Sequence, residues 1–164
     1  MQVLTPPGET EAAPEGHLTE LEFSSLALPE KLLQGIADAG FSHCTPIQRE
    51  TLPLALSGQD VAGQAQTGTG KTAAFLVALF VRLCNTEPTR TKLSEPRALI
   101  LAPTRELAVQ IHADAAQLNK YLPFKLGLAF GGTDYEKQRR TIADGIDVLI
   151  GTPGRLIDYY KQKV

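Results

Sequence analysis

The chain has 164 residues, 43% of them hydrophobic, which suits one domain with a real core and hardly two. No apolar run is long enough to cross a bilayer, and Met1 to Leu18 has neither the basic start nor the apolar stretch of a secretory signal, so a cytoplasmic protein with no membrane partner is expected. The net charge of −2 argues against non-specific polyanion binding, but it averages an acidic leader and a basic body. Residues 1–30 hold six Glu and no Lys or Arg; the other twelve acids face all sixteen basic residues over 31–164, a net of +4 that is compatible with a nucleic-acid partner. Cys44 and Cys84 stand far apart without a metal-ligand rhythm and are expected to be free thiols in a reducing compartment.

Residues 1–20, with Pro6-Pro7-Gly8, Pro14 and scattered Glu, read as a disordered leader. Pro29 fits a first helical position, Leu32, Leu33, Ile36 and Ala37 make one apolar face, and Gly40 can end that helix in a left-handed conformation. Thr45-Pro46 starts a second helix with Thr45 as its N-cap, ending near Gly58. Asp60 to Ala65 reads as a short buried strand, Gln66 to Gly70 as a glycine-rich turn, and Lys71 to about Leu83 as an apolar helix. Residues 85–96 are polar and form a loop, and Ala98 to Ala102 has the continuous apolar character of a strand buried on both faces.

Thr104 to about Tyr121 is helical, with Leu107, Ile111, Ala115 and Leu118 in register. Lys125 to Phe130 is a strand, Gly131-Gly132 a turn, Asp134 to Ala143 a helix, Asp147 to Ile150 a strand, and Thr152-Pro153 opens a last helix. Strand and helix alternate from Asp60 onward, which predicts an α/β fold with an open, mainly parallel sheet flanked by helices. Ligands of such sheets bind beyond the carboxyl ends of the strands.

Ala65-Gln66-Thr67-Gly68-Thr69-Gly70-Lys71-Thr72 lies between a predicted strand and a predicted helix, the context a P-loop needs. Gly68 and Gly70 let the backbone turn its N–H groups toward phosphate oxygens, and the helix start adds a positive dipole end. Lys71 is placed to reach the β- and γ-phosphates and the Thr72 hydroxyl to bind Mg²⁺. The strict pattern has Gly at the first position, where Ala65 stands. The plainer alternative is a glycine-rich turn with a chance Lys-Thr after it. By itself the loop points to a nucleoside triphosphate, not to a base or a task.

Gly40-Phe41 followed by Cys44-Thr45-Pro46-Ile47-Gln48, upstream of the P-loop, resembles the Q motif of the DEAD-box family of ATP-dependent RNA helicases, with Phe23 where the family places a further isolated aromatic. Ala65 to Thr72 is similar to the family's own P-loop spelling, Ala included. Pro103-Thr104-Arg105-Glu106-Leu107-Ala108 resembles motif Ia, Gly131-Gly132 the GG element, and Thr152-Pro153-Gly154-Arg155 motif Ib. Outside the motifs, Asp60 to Gln64, Glu106 to Ala113 and Leu156 to Tyr159 resemble a bacterial branch of the family associated with RNA degradation, which implies a ribonuclease scaffold as a partner.

The resemblance implies a RecA-like first lobe, incomplete at its C-terminus: a Q-motif region over 21–49 and a partial ATP-binding domain over 50–164. It implies ATP and Mg²⁺ as cofactors and RNA as partner, with ATP-driven closure of two lobes bending one strand and opening short duplexes. Gln48 has two readings. Thr45-x-x-Gln48 is a capping box, and an amide can also pair with the adenine edge in a bidentate way; the resemblance favours adenine, with Phe41 stacking on its face. Thr104 is likewise an N-cap. The resemblance adds Pro103, Thr104, Arg105, Gly131, Gly132, Thr152, Pro153, Gly154 and Arg155 as contacts to RNA phosphate and sugar, which would be sequence-independent.

Two other readings stay open: a P-loop ATPase acting on DNA or a small molecule, and a short form that binds nucleotide without catalysis. His17, His43 and His112 form no constellation, Arg139-Arg140 reads as a solvated helix face, and Tyr159 and Tyr160 read as packing residues. No Asp-Glu-Ala-Asp occurs in the 164 residues. In the family that segment holds Mg²⁺ and positions the attacking water, so these residues alone are expected to cradle phosphate and hardly hydrolyse it. The family's further strands beside the P-loop strand are also missing here, which implies unpaired strand groups. The isolated 164-residue chain is therefore predicted to be marginally stable; a cooperative calorimetric transition with a high midpoint would overturn this.

Overall fold

The computed structural model describes residues 18–88, 95–132 and 134–163. Most of the predicted leader and part of the predicted 85–96 loop lie outside these residues. The chain is tethered from Thr19 on, whose N–H and hydroxyl both donate to the Cys44 carbonyl, each at 2.8 Å. A 3-10 turn at Phe23–Ser25 precedes α1 (Glu30–Asp38), α2 (Pro46–Leu56), α3 (Lys71–Asn85), β1 (Ala98–Leu101), α4 (Arg105–Leu118), β2 (Leu126–Ala129), α5 (Tyr135–Ala143), β3 (Val148–Gly151) and α6 (Pro153–Lys161). The three strands form one parallel sheet in the order β1-β3-β2, so the predicted α/β architecture is present.

Pairing register sorts the side chains into two layers. Ala98, Val148 and Leu126 stand in one row and Ile100, Ile150 and Leu128 in another. Both rows pack with Phe80, Leu76 and Val77 of α3, Ile111, Ala115 and Leu118 of α4, and Leu32 and Ile36 of α1. The alternate positions point to the opposite face, where Leu149 and Ala129 meet Ile142, Ile146, Tyr159 and Leu156. Each fully buried aliphatic or aromatic side chain here contributes about 1.5–3 kcal/mol. Phe80 also lies parallel to Phe124, centroids 6.0 Å apart.

The second layer does not extend over β1, and this changes two expectations. Ala98 to Ala102 is not buried on both faces: Leu99 is 54% and Leu101 60% exposed, because α5 and α6 cover β2 and β3 only. Asp60 to Ala65 does not form a buried strand either. The segment carries no strand pairing, and Asp60 to Gln64 are exposed. A strand is stable only when its N–H and C=O groups are paired, and no described strand lies along the outer edge of β1 to supply them.

The helix boundaries follow local chemistry. Pro29 is the N-cap of α1 instead of its first residue; its backbone is extended and its carbonyl accepts from Leu32 and Leu33. Ala37 is exposed, and Gly35 takes its expected place on the buried face. A Cβ at Gly35 would overlap the Leu118 carbonyl, so the glycine is what lets α1 lie against the end of α4. Gly40 and Gly58 close α1 and α2 at φ of +81° and +86°. Tyr159 is buried as expected, but Tyr160 is 84% exposed, since it falls on the solvent side of α6. Arg139 and Arg140 are solvated, Arg139 facing Glu136 at 3.7 Å. Cys44 is a buried free thiol, its pKa pushed up to about 11 by burial; Cys84 is free and exposed.

Gly35→Ala is expected to destabilise the fold by about 1–3 kcal/mol through overpacking against α4. Gly154→Ala, which opens into empty space within α6, is expected to leave stability unchanged or slightly raised. Urea midpoints of the two variants check the contrast, and equal midpoints would remove the role assigned to Gly35.

Candidate functional site

The glycine-rich turn stands directly before α3, with Gly68 at φ +80° and Gly70 at φ +86°. Gly70 is the N-cap of α3, and Lys71 and Thr72 are its first two residues. The first turn of a helix has N–H groups without intrahelical partners and carries the positive end of the helix dipole, so this is an anion-attracting point. Lys71 folds back over the loop: its ammonium donates to the Ala65 carbonyl at 2.5 Å and to the Gln66 carbonyl. Thr69 donates from its hydroxyl to the Gln66 carbonyl at 2.8 Å, closing the turn on itself.

The loop is tied to α2 by buried groups. Gln48 is 1% exposed. Its Oε1 accepts from the Thr45 N–H at 2.9 Å and its Nε2 donates to the Gly70 carbonyl at 3.0 Å. Thr45 donates from Oγ1 to the Thr69 carbonyl at 2.8 Å. The capping box is thus formed, and the same two side chains reach across to the glycine-rich turn. A Cβ at Gly70 would collide with the Gln48 amide and crowd the Thr45 hydroxyl, so glycine is required there by contact as well as by φ. Phe41 is half-buried, tilted against the buried Phe23 with centroids 6.5 Å apart. The Thr72 side chain is half-buried, and no group of three or more His, Cys, Asp or Glu among the described residues could hold a metal. A magnesium ion here would draw one hydroxyl from Thr72 and its other oxygens from phosphates and water.

A second constellation lies at the carboxyl ends of the strands. Leu101, Gly151 and Ala129 are paired across the sheet, so the chain leaves all three strands at one level. Pro103, Thr104 and Arg105 leave β1, Thr152, Pro153, Gly154 and Arg155 leave β3, and Phe130, Gly131 and Gly132 leave β2. The Ala102 N–H donates to the Gly151 carbonyl and the Thr152 N–H to the Ala129 carbonyl, each at 2.9 Å, which carries the pairing one step past the strands. Thr104 caps α4 by accepting from the Leu107 N–H at 3.2 Å, while Thr152 makes no side-chain cap at α6. Pro103, Thr104, Arg105, Gly131, Gly132, Pro153 and Gly154 are exposed. Arg105 lays its guanidinium 4.8 Å from the centroid of the Phe130 ring, beside Gly132.

Arg155 differs from Arg105. Its guanidinium is turned inward, 5.1 Å from the Tyr135 ring and 5.6 Å from the Tyr159 ring, and donates to the Gln138 Oε1 at 3.2 Å. Sequence reasoning missed Gln138 altogether, since a Gln in an exposed, charged helix carries no distinguishing signal. The described histidines stay apart: His43 stands 3.8 Å from Glu22, and His112 lies on α4 with its pKa lowered by burial, while His17 lies outside the described residues.

The DEAD/DEAH box helicase family profile matches residues 45–164. Among curated proteins, the chain is 58% identical over 147 residues to the "ATP-dependent RNA helicase RhlB" of Enterobacter sp. (strain 638), covering 89% of this chain and 35% of that one. It is 55% identical over 149 residues to the protein of the same description from Photobacterium profundum, covering 90% and 34%. The chain therefore spans about a third of the length of the curated relatives it matches. Among solved structures, that of a hypothetical ATP-dependent RNA helicase from Sulfolobus tokodaii superposes with a TM-score of 0.72 at 32% identity, covering 83% of this chain and 37% of that chain.

Gln48→Ala leaves the buried Thr45 N–H without its acceptor and cuts the tie to Gly70, and is expected to cost about 1–3 kcal/mol in a urea titration. An unchanged midpoint would show that the amide contributes nothing to holding α2 and the loop together.

Proposed function

Because the chain belongs to the DEAD/DEAH box helicase family, we propose that it is the nucleotide-binding and RNA-tracking portion of the first lobe of an ATP-dependent RNA helicase. The observation that carries this reading is the placement of Lys71 and Thr72 in the first turn of α3, behind a left-handed Gly70. A triphosphate would take the place of the Ala65 and Gln66 carbonyls at the Lys71 ammonium and accept from the N–H groups of the turn, Gln66 to Thr72. Thr72 would supply one oxygen to a Mg²⁺ held mainly by the nucleotide.

For the base, Gln48 and Phe41 remain the proposed readers of adenine. Each end of the Gln48 amide makes one bond, to the Thr45 N–H and to the Gly70 carbonyl, which leaves one N–H and one lone pair for the adenine edge. The amide that reads the base would then also hold the loop that receives the phosphates. Residues 21–49 would serve the base in this reading, and residues 50–164 the phosphates and RNA. For RNA, the support is the shared level at which the segments after β1, β3 and β2 leave the sheet, with exposed backbone and the Arg105 guanidinium on one side. Contacts of this kind fix a strand without reading its sequence. Arg155 would join them only by leaving Tyr135, Tyr159 and Gln138.

For the full-length protein the proposal is ATP-driven closure of two lobes that separates short RNA duplexes. The curated relatives described as RNA helicases support it. A role in RNA turnover beside a ribonuclease scaffold in the cytoplasm rests on the resemblance alone; no described helix is long and apolar enough to cross a membrane. The 164 residues contain no Asp-Glu-Ala-Asp, so by themselves they would bind nucleotide with negligible turnover.

In the full-length protein, Lys71→Ala is expected to lower ATP hydrolysis by about 100-fold or more. Hydrolysis by the unaltered protein is expected to rise with added single-stranded RNA and not with DNA of the same length. Unchanged turnover in the variant would overturn the phosphate assignment, and equal stimulation by DNA would favour an ATPase acting on either nucleic acid.

A further inference from the structure

We infer that Gln138 is a positioning residue for the RNA-binding surface: it sets the Gly131-Gly132 turn that lies beside the Arg105 guanidinium. This rests on the proposed RNA contacts at the strand ends.

The side-chain amide of Gln138 pairs at two points with the backbone of Phe130. Its Oε1 accepts from the Phe130 N–H and its Nε2 donates to the Phe130 carbonyl, both at 3.2 Å. This exchange of two hydrogen bonds is what a neighbouring strand would supply. It comes where β3 can no longer supply it, because the chain turns into α6 at Thr152. The amide thus extends the order of β2 one residue past Ala129, to the edge of the glycine pair. Two consecutive glycines form a loose stretch of backbone, and their N–H groups hold a fixed direction only if the preceding residue is fixed. Phe130 is buried at 7% exposure, and its ring carries Arg105 at 4.8 Å.

Gln138 is itself held from behind. The Arg155 guanidinium donates to its Oε1 at 3.2 Å, and the Tyr159 hydroxyl lies 3.4 Å from the same oxygen. Arg155 is in turn seated on the Tyr135 and Tyr159 rings. The amide therefore joins Arg155 after β3 to Phe130 after β2, and the Phe130 ring carries Arg105 from after β1. In the conformation described, Arg155 acts on RNA through Gln138 and not by direct contact.

Two kinds of contact are at stake, and salt separates them. Backbone N–H groups at Gly131 and Gly132 are neutral, whereas Arg105 releases counterions from the phosphates it neutralises, about 0.7 in the slope of log affinity against log salt for each on a single strand. In the full-length protein, Gln138→Met keeps the side-chain length and removes both bonds to Phe130. RNA is titrated as a fluorescent single strand at several salt concentrations, with Arg105→Ala measured in parallel. Gln138→Met is expected to weaken RNA binding by about three- to tenfold, as for one or two lost hydrogen bonds, with the salt slope unchanged, the KM for ATP within about twofold, and amide exchange accelerated at Phe130 to Gly132. Arg105→Ala is expected to weaken binding and lower the slope by about 0.7. If Arg105→Ala behaves so while Gln138→Met binds RNA normally, the positioning role is wrong and the RNA surface stands. If both bind normally, the RNA surface itself is wrong. A Gln138→Met protein that loses thermal stability and ATP affinity in step with RNA affinity would reduce the residue to a fold role and overturn the inference. Gln138→Leu, of similar volume, decides the matter if the Met variant does not fold.

Discussion

Among the described residues, the glycine-rich turn is gripped from α2 and not by a strand before it. In the segment before it, Asp60 to Gln64 are exposed and nothing there is paired as a strand, so the geometry of Gly68 to Lys71 depends on what grips it from α2. That grip is a buried amide and a hydroxyl: Gln48 on the Gly70 carbonyl and Thr45 on the Thr69 carbonyl. Both side chains belong to the cap that starts α2, so the start of one helix is hydrogen-bonded to the start of the next. In the low dielectric of a buried site such bonds are stronger than in water, and leaving one unmade is costly. This is why a motif far upstream in sequence shares one structural unit with the loop.

A different constraint governs the other half of the surface. The central strand β3 pairs with both neighbours and sets them level, so three loops distant in sequence begin at a single height above the sheet. Their polar ends then differ by what holds them. Arg105 is exposed and leans on an aromatic ring, whereas Arg155 is enclosed by two tyrosines and an amide. Two arginines that look alike in sequence, each just past a helix start, have one facing solvent and the other bracing the turn. The bare face of β1, with Leu99 and Leu101 open, marks where the two-layer cover stops.

Local signals carry much of the fold. The helix starts at Thr45-Pro46, Thr104 and Thr152-Pro153 are legible because capping and the fixed φ of proline act within a few residues. The ends at Gly40 and Gly58 are legible because only glycine turns left-handed without strain. Readings that depend on distant partners fare less well. Asp60 to Ala65 has the composition of a strand, yet a strand needs a neighbour, and none of the described strands lies beside it. The apolar run of Ala98 to Ala102 suggests burial on both faces, but composition does not say whether a second helical layer reaches that strand. Gln138 is invisible in the sequence, since its partner is a backbone amide eight residues away across a turn.

The order of elements from α3 onward, the glycine-rich turn before α3 and the family to which the chain belongs were determined by the sequence alone, because capping, φ restriction and motif spacing are properties of neighbouring residues. Tertiary structure alone decided that Gln48 is buried between two helix starts, that Arg105 is exposed while Arg155 is not, and that β1 keeps one bare face. Each of these turns on which groups, remote along the chain, come within hydrogen-bond or van der Waals distance. Only the packed sheet and its helices fix those distances.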